Sequence, residues 1–306
     1  MTFRLGLIGG GRMGRTHIRA LVDSSEVTVV AIAEPFEQSA EQLRSEGFTV
    51  YPTIAQLLVE AELDGVLIAA PSDKHLEVVT QVAQAGLPIL CEKPCGVAPE
   101  QAAQAIAVAK DAGVLMQVAY WRRFVPELVA LREQIASGKL GTLHLLVCSQ
   151  WDEAPPPSQF RSSSGGIFID MGVHEIDQAR WLTGCEVVEM SGYSHPETTD
   201  AGVVGDVDSA QALLHMSDGT TVLVSLGRFF PGGDMVTAEA FGTLGHTLIP
   251  VVAPADGEAN QLHALRLQAE AFANNVKGAP IQGATGHDAH MALELAYKLT
   301  RVCGIS

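Results

Sequence analysis

Short apolar runs alternate with amphipathic stretches through the first 120 residues. Phe3–Ile8, Val27–Ala33, Gly65–Ala70, Pro88–Cys91 and Val114–Ala119 predict strands. Four of them are dominated by Val, Ile, Leu and Ala, the composition of strands buried on both faces. Between them, Arg12–Val22, Glu37–Glu46, Lys74–Ala85 and Pro99–Ala112 have helical length and composition. The last opens on a proline and stops before Gly113, which matches the start and stop signals of a helix. Strand–helix alternation of this kind implies parallel βαβ units in a doubly wound sheet.

The rhythm changes after about residue 120, which predicts one domain over 1–120 and a second over 121–306. A helix, Pro126–Ser137, is closed by Gly138, and a strand, Leu143–Trp151, follows. The Pro/Ser-rich stretch from Ala154 to Gly166 reads as a loop. A helix is predicted over roughly Gly166–Leu182, then strands at Val187–Tyr193, Ser209–Met216, Thr220–Phe229 and Met235–Phe241. Ser217-Asp218-Gly219 is a hairpin signal. Strands without intervening helices predict an open, mostly antiparallel sheet in an α+β domain. Two helices, about Gln261–Val276 and His287–Cys303, close the chain.

Composition narrows the function classes. With 47% hydrophobic residues, the 306-residue chain has material for a sizeable core. A net charge of -16 repels phosphate backbones, so neither nucleic acid nor an anionic membrane surface is expected as a partner. The uncharged run Ala240–Ala255 is broken by Gly and Pro and falls short of a membrane span. No signal peptide precedes the first strand, and a soluble, cytoplasmic protein is expected. Five cysteines, none in a C-x-x-C pair, argue against a secreted disulfide framework and against structural zinc. His287, Asp288 and His290 sit at a late helix start and read as a solvated cap rather than a metal site. No metal is expected.

Candidate chemistry begins at the first strand–helix junction. Gly9, Gly11 and Gly14 form G-x-G-x-x-G, with Arg12 and Met13 opening the helix. In this context Gly9 permits a tight turn, Gly11 lets backbone approach a pyrophosphate, and Gly14 allows close helix–strand packing. The helix N-terminus offers N–H groups and a positive dipole end to phosphates. Twenty residues past Gly14, the second strand ends in Glu34. A carboxylate there accepts hydrogen bonds from ribose hydroxyls and repels a 2′-phosphate. Pro35 and Phe36 follow, with no cation to hold that phosphate, so NAD is favoured over NADP.

Three further segments carry a resemblance. Cys91-Glu92-Lys93-Pro94 resembles the E-K-P signature of the Gfo/Idh/MocA oxidoreductase family. Ala69 to His75, with Pro71 and Ser72, is similar to its T-P-N-x-x-H segment, Ala70 and Ser72 replacing Thr and Asn. Gly165 to Asp177 is similar to its G-G-x-x-x-D-x-x-x-H-x-x-D motif. The motifs stand in family order and the likeness covers essentially the whole chain. Within the family, Trp121-Arg122-Arg123-Phe124 and the His174–Trp181 segment are most like inositol 2-dehydrogenases. The resemblance implies a Rossmann domain and a second domain whose open sheet often forms an oligomer interface, here a homodimer or homotetramer. It implies Lys93, Asp170 and His174 as the catalytic set. It also implies cofactor contacts from Pro71, Ser72 and His75, and Glu92 near the nicotinamide ribose. The chain departs from the family's cyclitol enzymes in a short C-terminal domain and in Pro231-Gly232-Gly233-Asp234, which leaves the identity of the substrate open.

The residue types suit oxidation of a secondary alcohol. His174 has an unperturbed pKa of about 6.5 and can take the hydroxyl proton. Asp170, four residues earlier, would share its helix face and orient it or bind substrate; Asp177 is a rival orienter. Lys93, past a strand's carboxyl end, can stabilise the developing alkoxide. Arg122 and Arg123 divide between a salt bridge and the cleft. Trp151, Asp152 and Phe160 flank the Pro/Ser loop, a candidate lid, and are substrate-contact candidates. The expected substrate is a small polyol or sugar. Two rival readings remain: a non-catalytic NAD-sensing regulator, and a glycoside-cleaving enzyme that uses NAD transiently.

Overall fold

A computed structural model describes every residue except 163, 197–204, 256–257 and 306, and describes 196 in its backbone alone. The first stretch runs β1 (Phe3–Ile8), α1 (Arg12–Leu21), β2 (Val27–Ala33), α2 (Glu37–Ser45), β3 (Val50–Tyr51), α3 (Ile54–Glu60), β4 (Gly65–Ile68), α4 (His75–Gln84), β5 (Ile89–Cys91), α5 (Pro99–Asp111) and β6 (Met116–Val118). Then come α6 (Pro126–Ala136), β7 (Leu143–Trp151), α7 (Ser158–Arg161), α8 (Val173–Thr183), β8 (Val187–Pro196) and β9 (Val207–Met216). The chain closes with β10 (Thr221–Gly227), β11 (Met235–Gly242), β12 (His246–Val252), α9 (Ala259–Val276), β13 (Ala284–Thr285) and α10 (Gly286–Val302).

These elements form two compact units. One holds Met1–Trp121 together with Leu262–His290; the other holds Arg122–Gln261 and the chain from Met291 onward. In the first, the strand order is β13-β6-β5-β4-β1-β2-β3. All neighbours are parallel except the antiparallel β13 at the edge. Strand order reverses between β1 and β4, the switch point at which doubly wound sheets bind ligands. β4 is buried at every position, as a central parallel strand must be. Phe3, Leu5, Leu7, Ile32, Leu67 and Leu90 build the core, and Phe272 of α9 joins it. The Phe3 and Phe272 rings meet edge-to-face, centroids 5.9 Å apart. Gly65 leaves the room: a Cβ there would stand 2.9 Å from the Phe3 ring.

The second unit is a six-stranded sheet ordered β12-β11-β7-β10-β9-β8. Neighbours are antiparallel except β7 and β10, which run parallel. Its inner face presents Leu146, Cys148, Ala212, Leu214, Val222, Val224, Ala238 and Ala240, all buried. Helix α8 packs on β7 and β10 of this sheet, and is buried from Val173 through Arg180. The predicted hairpin joins β9 to β10, and Asp218 accepts the Thr220 N–H at 2.9 Å.

Differences from the sequence reading have simple causes. β3 and β13 are two residues each, too short for a period to register. α3 is a two-turn helix whose signal lies in its cap, Thr53 Oγ1 accepting from Gln56 N–H at 3.2 Å. The uncharged run after Ala240 is the end of β11 and β12. Within the Pro/Ser stretch, Ser158–Arg161 makes one helical turn; Ser163 of the candidate lid lies outside the described residues. The helix expected from Gly166 starts as a π turn, Phe168–Gly172, and becomes α-helical at Val173. At the start of α10, Thr285 and Asp288 cap each other reciprocally, Asp288 accepting from Thr285 N–H at 2.9 Å. Among the described residues no helix is long and apolar enough to cross a membrane.

Candidate active site

The glycine loop of the first unit is shaped for phosphate. Gly9 holds φ +99°, where a Cβ would lie 2.6 Å from the Ala69 carbonyl oxygen. A Cβ on Gly14 would run into the Gly9 carbonyl. Gly11 differs: its Cβ would meet no protein atom within 4 Å. Packing therefore does not demand glycine at 11, whereas a pyrophosphate drawn close to the backbone does. Gly11 caps α1 without a side chain, and the helix's own bonding begins only with Arg15 N–H to Gly11 O at 2.9 Å. The amides of Arg12 and Met13 thus belong to an uncapped N-terminus suited to phosphate.

Glu34 ends β2 and is 4% exposed. Its Oε2 accepts the Gly10 N–H at 2.8 Å and its Oε1 the Phe36 N–H at 2.9 Å. One carboxylate therefore pins the glycine loop to the strand end, with lone pairs left for ribose hydroxyls. Loop, helix terminus and acid together fit NAD.

Glu92 and Lys93 follow β5. Glu92 Oε2 accepts the Lys93 N–H at 3.1 Å, and Oε1 faces His17 Nε2 at 2.6 Å. Lys93 is half-buried, and its bond to Pro94 is cis. Pro71 is exposed and Ser72 half-buried at the head of a single 3₁₀ turn that leads into α4. His75 is held at both ring nitrogens. It is 1% exposed, with Nδ1 2.8 Å from Pro94 O and Nε2 2.9 Å from Ala70 O. It staples the loop after β4 to the loop after β5, and burial holds its pKa below the ordinary value.

In the second unit, Gly165 and Gly166 adopt φ of +85° and +86° to turn the chain into the π turn. That turn carries Asp170, and His174 follows on α8, 7% exposed. A π turn rotates successive side chains less than an α turn, so the α-helical spacing rule does not set the Asp170–His174 offset. Asp170 Oδ2 accepts from Arg228 Nη1 at 2.9 Å. Arg228, just past β10, is fully buried among three carboxylates: Asp170, Asp152 at 3.4 Å and Asp206 at 3.3 Å. Arg161 donates to Asp206 at 2.6 Å. Burial raises the Asp152 pKa, against the opposing pull of Arg228.

The arginine pair lies against α8. Both form a salt bridge to α8, one of the two roles expected: Arg122 to Glu175, and Arg123 to Asp177 as a fork at 2.9 and 2.6 Å. Arg122 also donates to Gln150 Oε1 at 2.5 Å. Each guanidinium neutralises an otherwise costly buried carboxylate on α8. Asp177, the rival orienter, accepts from Arg123. Trp151 lies over Gly227, where any Cβ would strike its ring, and donates to Ser225 Oγ at 3.1 Å. Phe160, on α7, is 42% exposed.

Sequence reasoning missed His17, Arg161, Asp206 and Arg228. Polar residues at inward-facing positions were the available signal: His17 on the inner side of α1, and Asp206 beside Asp208 at a strand start. Among the described residues no group of three or more His, Cys, Asp or Glu could hold a metal. Cys91 and Cys95 are buried free thiols.

Comparison with known proteins agrees with this geometry. Residues 3–120 match the profile described as "Oxidoreductase family, NAD-binding Rossmann fold", and residues 128–247 match "GFO/IDH/MocA C-terminal domain". The chain is 48% identical to the rhizopine catabolism protein MocA of Rhizobium meliloti, over 98% of this chain and 95% of that protein. It is 32% identical to inositol 2-dehydrogenase of Rhizobium meliloti strain 1021, over 97% and 95%. The solved myo-inositol dehydrogenase of Corynebacterium glutamicum superposes with a TM-score of 0.91 at 25% identity, covering 99% of this chain and 97% of that one. With glycine cradle, acidic strand end, E-K-P loop and Asp–His helix all in place, the chain belongs to the Gfo/Idh/MocA family of NAD-binding oxidoreductases.

Proposed function

We propose that this NAD-dependent oxidoreductase oxidises a secondary alcohol of a cyclitol, or of a sugar of similar size. The observation that carries the reading is the carboxylate cluster beside the π turn. Asp152 and Asp170, with side chains 22% and 15% exposed, are held by one buried arginine. Carboxylates only accept hydrogen bonds, so their natural ligands are hydroxyls. An anionic substrate would meet repulsion there. Trp151, flat on Gly227, offers an apolar face to ring C–H groups. Relatives named for inositol oxidation support the same substrate class.

Each residue has a defined task. His174 takes the hydroxyl proton. Lys93 donates to the substrate oxygen and stabilises its developing negative charge. Asp170, paired with Arg228, accepts from substrate or from the imidazole. NAD, when bound, supplies the hydride acceptor. Glu34 favours it over NADP by occupying the 2′-phosphate position with negative charge. The test is an absorbance screen for NADH over inositols, aldoses and sugar acids. Turnover on inositols or aldoses is expected. Cleavage of a glycoside without net NADH would favour the glycoside reading, and tight NAD binding with no turnover would favour the regulator.

We infer further that the chain assembles as a homodimer or homotetramer through the outer face of its six-stranded sheet. Across that face Leu248, Glu239, Val147, Leu223, Leu213 and Ser191 stand in register, strand to strand. Leu213 and Leu248 are 48% and 54% exposed, with Tyr193 at 83% nearby, and rows of exposed apolar side chains favour association. Leu223→Glu is expected to shift the mass measured by light scattering to the monomer. An unchanged oligomer would move the interface elsewhere.

A further inference from the structure

In the buried pair between α1 and the loop after β5, Glu92 has the place near the second ribose that the family resemblance implies, but His17 has no task in the chemistry described so far. His17 is fully buried and Glu92 is 5% exposed. Their 2.6 Å contact joins residues 75 positions apart. Glu92 is an acceptor, so the imidazole hydrogen lies on Nε2. Its Nδ1 is buried and meets no hydrogen-bond partner among the described residues. As packing, this arrangement is poor: two apolar side chains of similar volume would fill the space without an orphaned nitrogen or a desolvated carboxylate.

What the pair achieves is orientation. His17 fixes one carboxylate oxygen of Glu92, and the Lys93 N–H fixes the other. Glu34 is held in the same manner, by two backbone N–H groups. The two acids stand at the carboxyl ends of β2 and β5, on opposite sides of the β1/β4 switch. A doubly wound sheet gives one mononucleotide to each half. Glu34 is read as the acceptor for the adenosine ribose, and the family resemblance implies Glu92 for the second.

We propose that His17 is a positioning residue for NAD: its Nε2–H sets the Glu92 carboxylate to accept the hydroxyls of the second ribose. The inference rests on the reading of this fold as an NAD site. One helix then does two things, receiving the pyrophosphate at its first turn and orienting the ribose acceptor from its second.

The test uses two fragments of the dinucleotide, measured by calorimetry on the full-length protein. ADP carries the adenosine and both phosphates; ADP-ribose adds the second ribose. His17→Asn should bind ADP within about twofold of wild type but ADP-ribose about tenfold more weakly. His17→Gln, whose amide nitrogen reaches the position of Nε2, should restore ADP-ribose binding to within about threefold. Adding His17→Asn to Glu92→Ala should cause no further loss. Thermal melts establish that each variant is folded. Equal losses for ADP and ADP-ribose would overturn the proposal in favour of a purely structural histidine, as would Asn and Gln variants of equal affinity. Wild-type protein that binds neither fragment would overturn the NAD reading itself.

Discussion

His174→Ala should lower kcat by about 10²–10⁴, the usual worth of a positioned proton acceptor. Lys93→Ala should cost about 10²–10³, the usual worth of one preorganised donor to a developing oxyanion. NAD affinity should stay within a few-fold of wild type in both, because the cofactor's phosphates are received at the glycine loop. The two deficits should respond differently to pH. Hydroxide replaces the missing base, so the His174→Ala deficit shrinks as pH rises. The Lys93→Ala deficit concerns charge on the substrate oxygen, which hydroxide does not stabilise, and should not shrink in that way. Stopped-flow turnover across pH, paired with calorimetry for NAD, reads both effects. Near-full turnover in either variant would remove that residue from the catalytic set.

Gly11→Val should abolish NAD binding, with affinity falling at least about a hundredfold, while the protein stays folded. The separation follows from the local geometry. Gly11 has φ -71° and ψ -164°, which a β-branched residue adopts without strain. Its Cβ would meet no protein atom within 4 Å. The side chain therefore starts in open space, on the approach proposed for the pyrophosphate. Gly14→Val should behave oppositely and fail at folding, because its side chain would collide with the Gly9 carbonyl. Calorimetry and melting curves on the pair distinguish a ligand cradle from a packing glycine. A Gly11→Val protein that binds NAD normally would refute the assignment of this loop.

The parts of this molecule that could be read in advance are those encoded locally. The β1–loop–α1 unit was legible because strand, glycines and helix lie within a dozen residues. So was the acid at Glu34, through its fixed distance from Gly14. Asp170 and His174 were legible as a motif. The turn that carries Asp170 was not, because a π turn and an α turn share the same apolar pattern. Arg228 could not be assigned, since its partner Asp170 is 58 positions away and nothing near it marks a buried guanidinium. Arg122 and Arg123 were visible, but their partners on α8 lie more than fifty positions away and could not be read from the sequence. His17 fell into the same gap.

The first unit is assembled from two stretches of chain, Met1–Trp121 and Leu262–His290. Ala269, Phe272 and Ala273 from the second stretch sit in the same core as Phe3, Leu5 and Leu7. Domains commonly fold in order as the chain leaves the ribosome. Here that order fails for the nucleotide-binding half. While residues 122–261 are being synthesised, the Phe3 ring and the gap above Gly65 wait for Phe272 to emerge. The nucleotide-binding half is therefore expected to close only once α9 has emerged, its apolar core lacking the Phe272 ring until then.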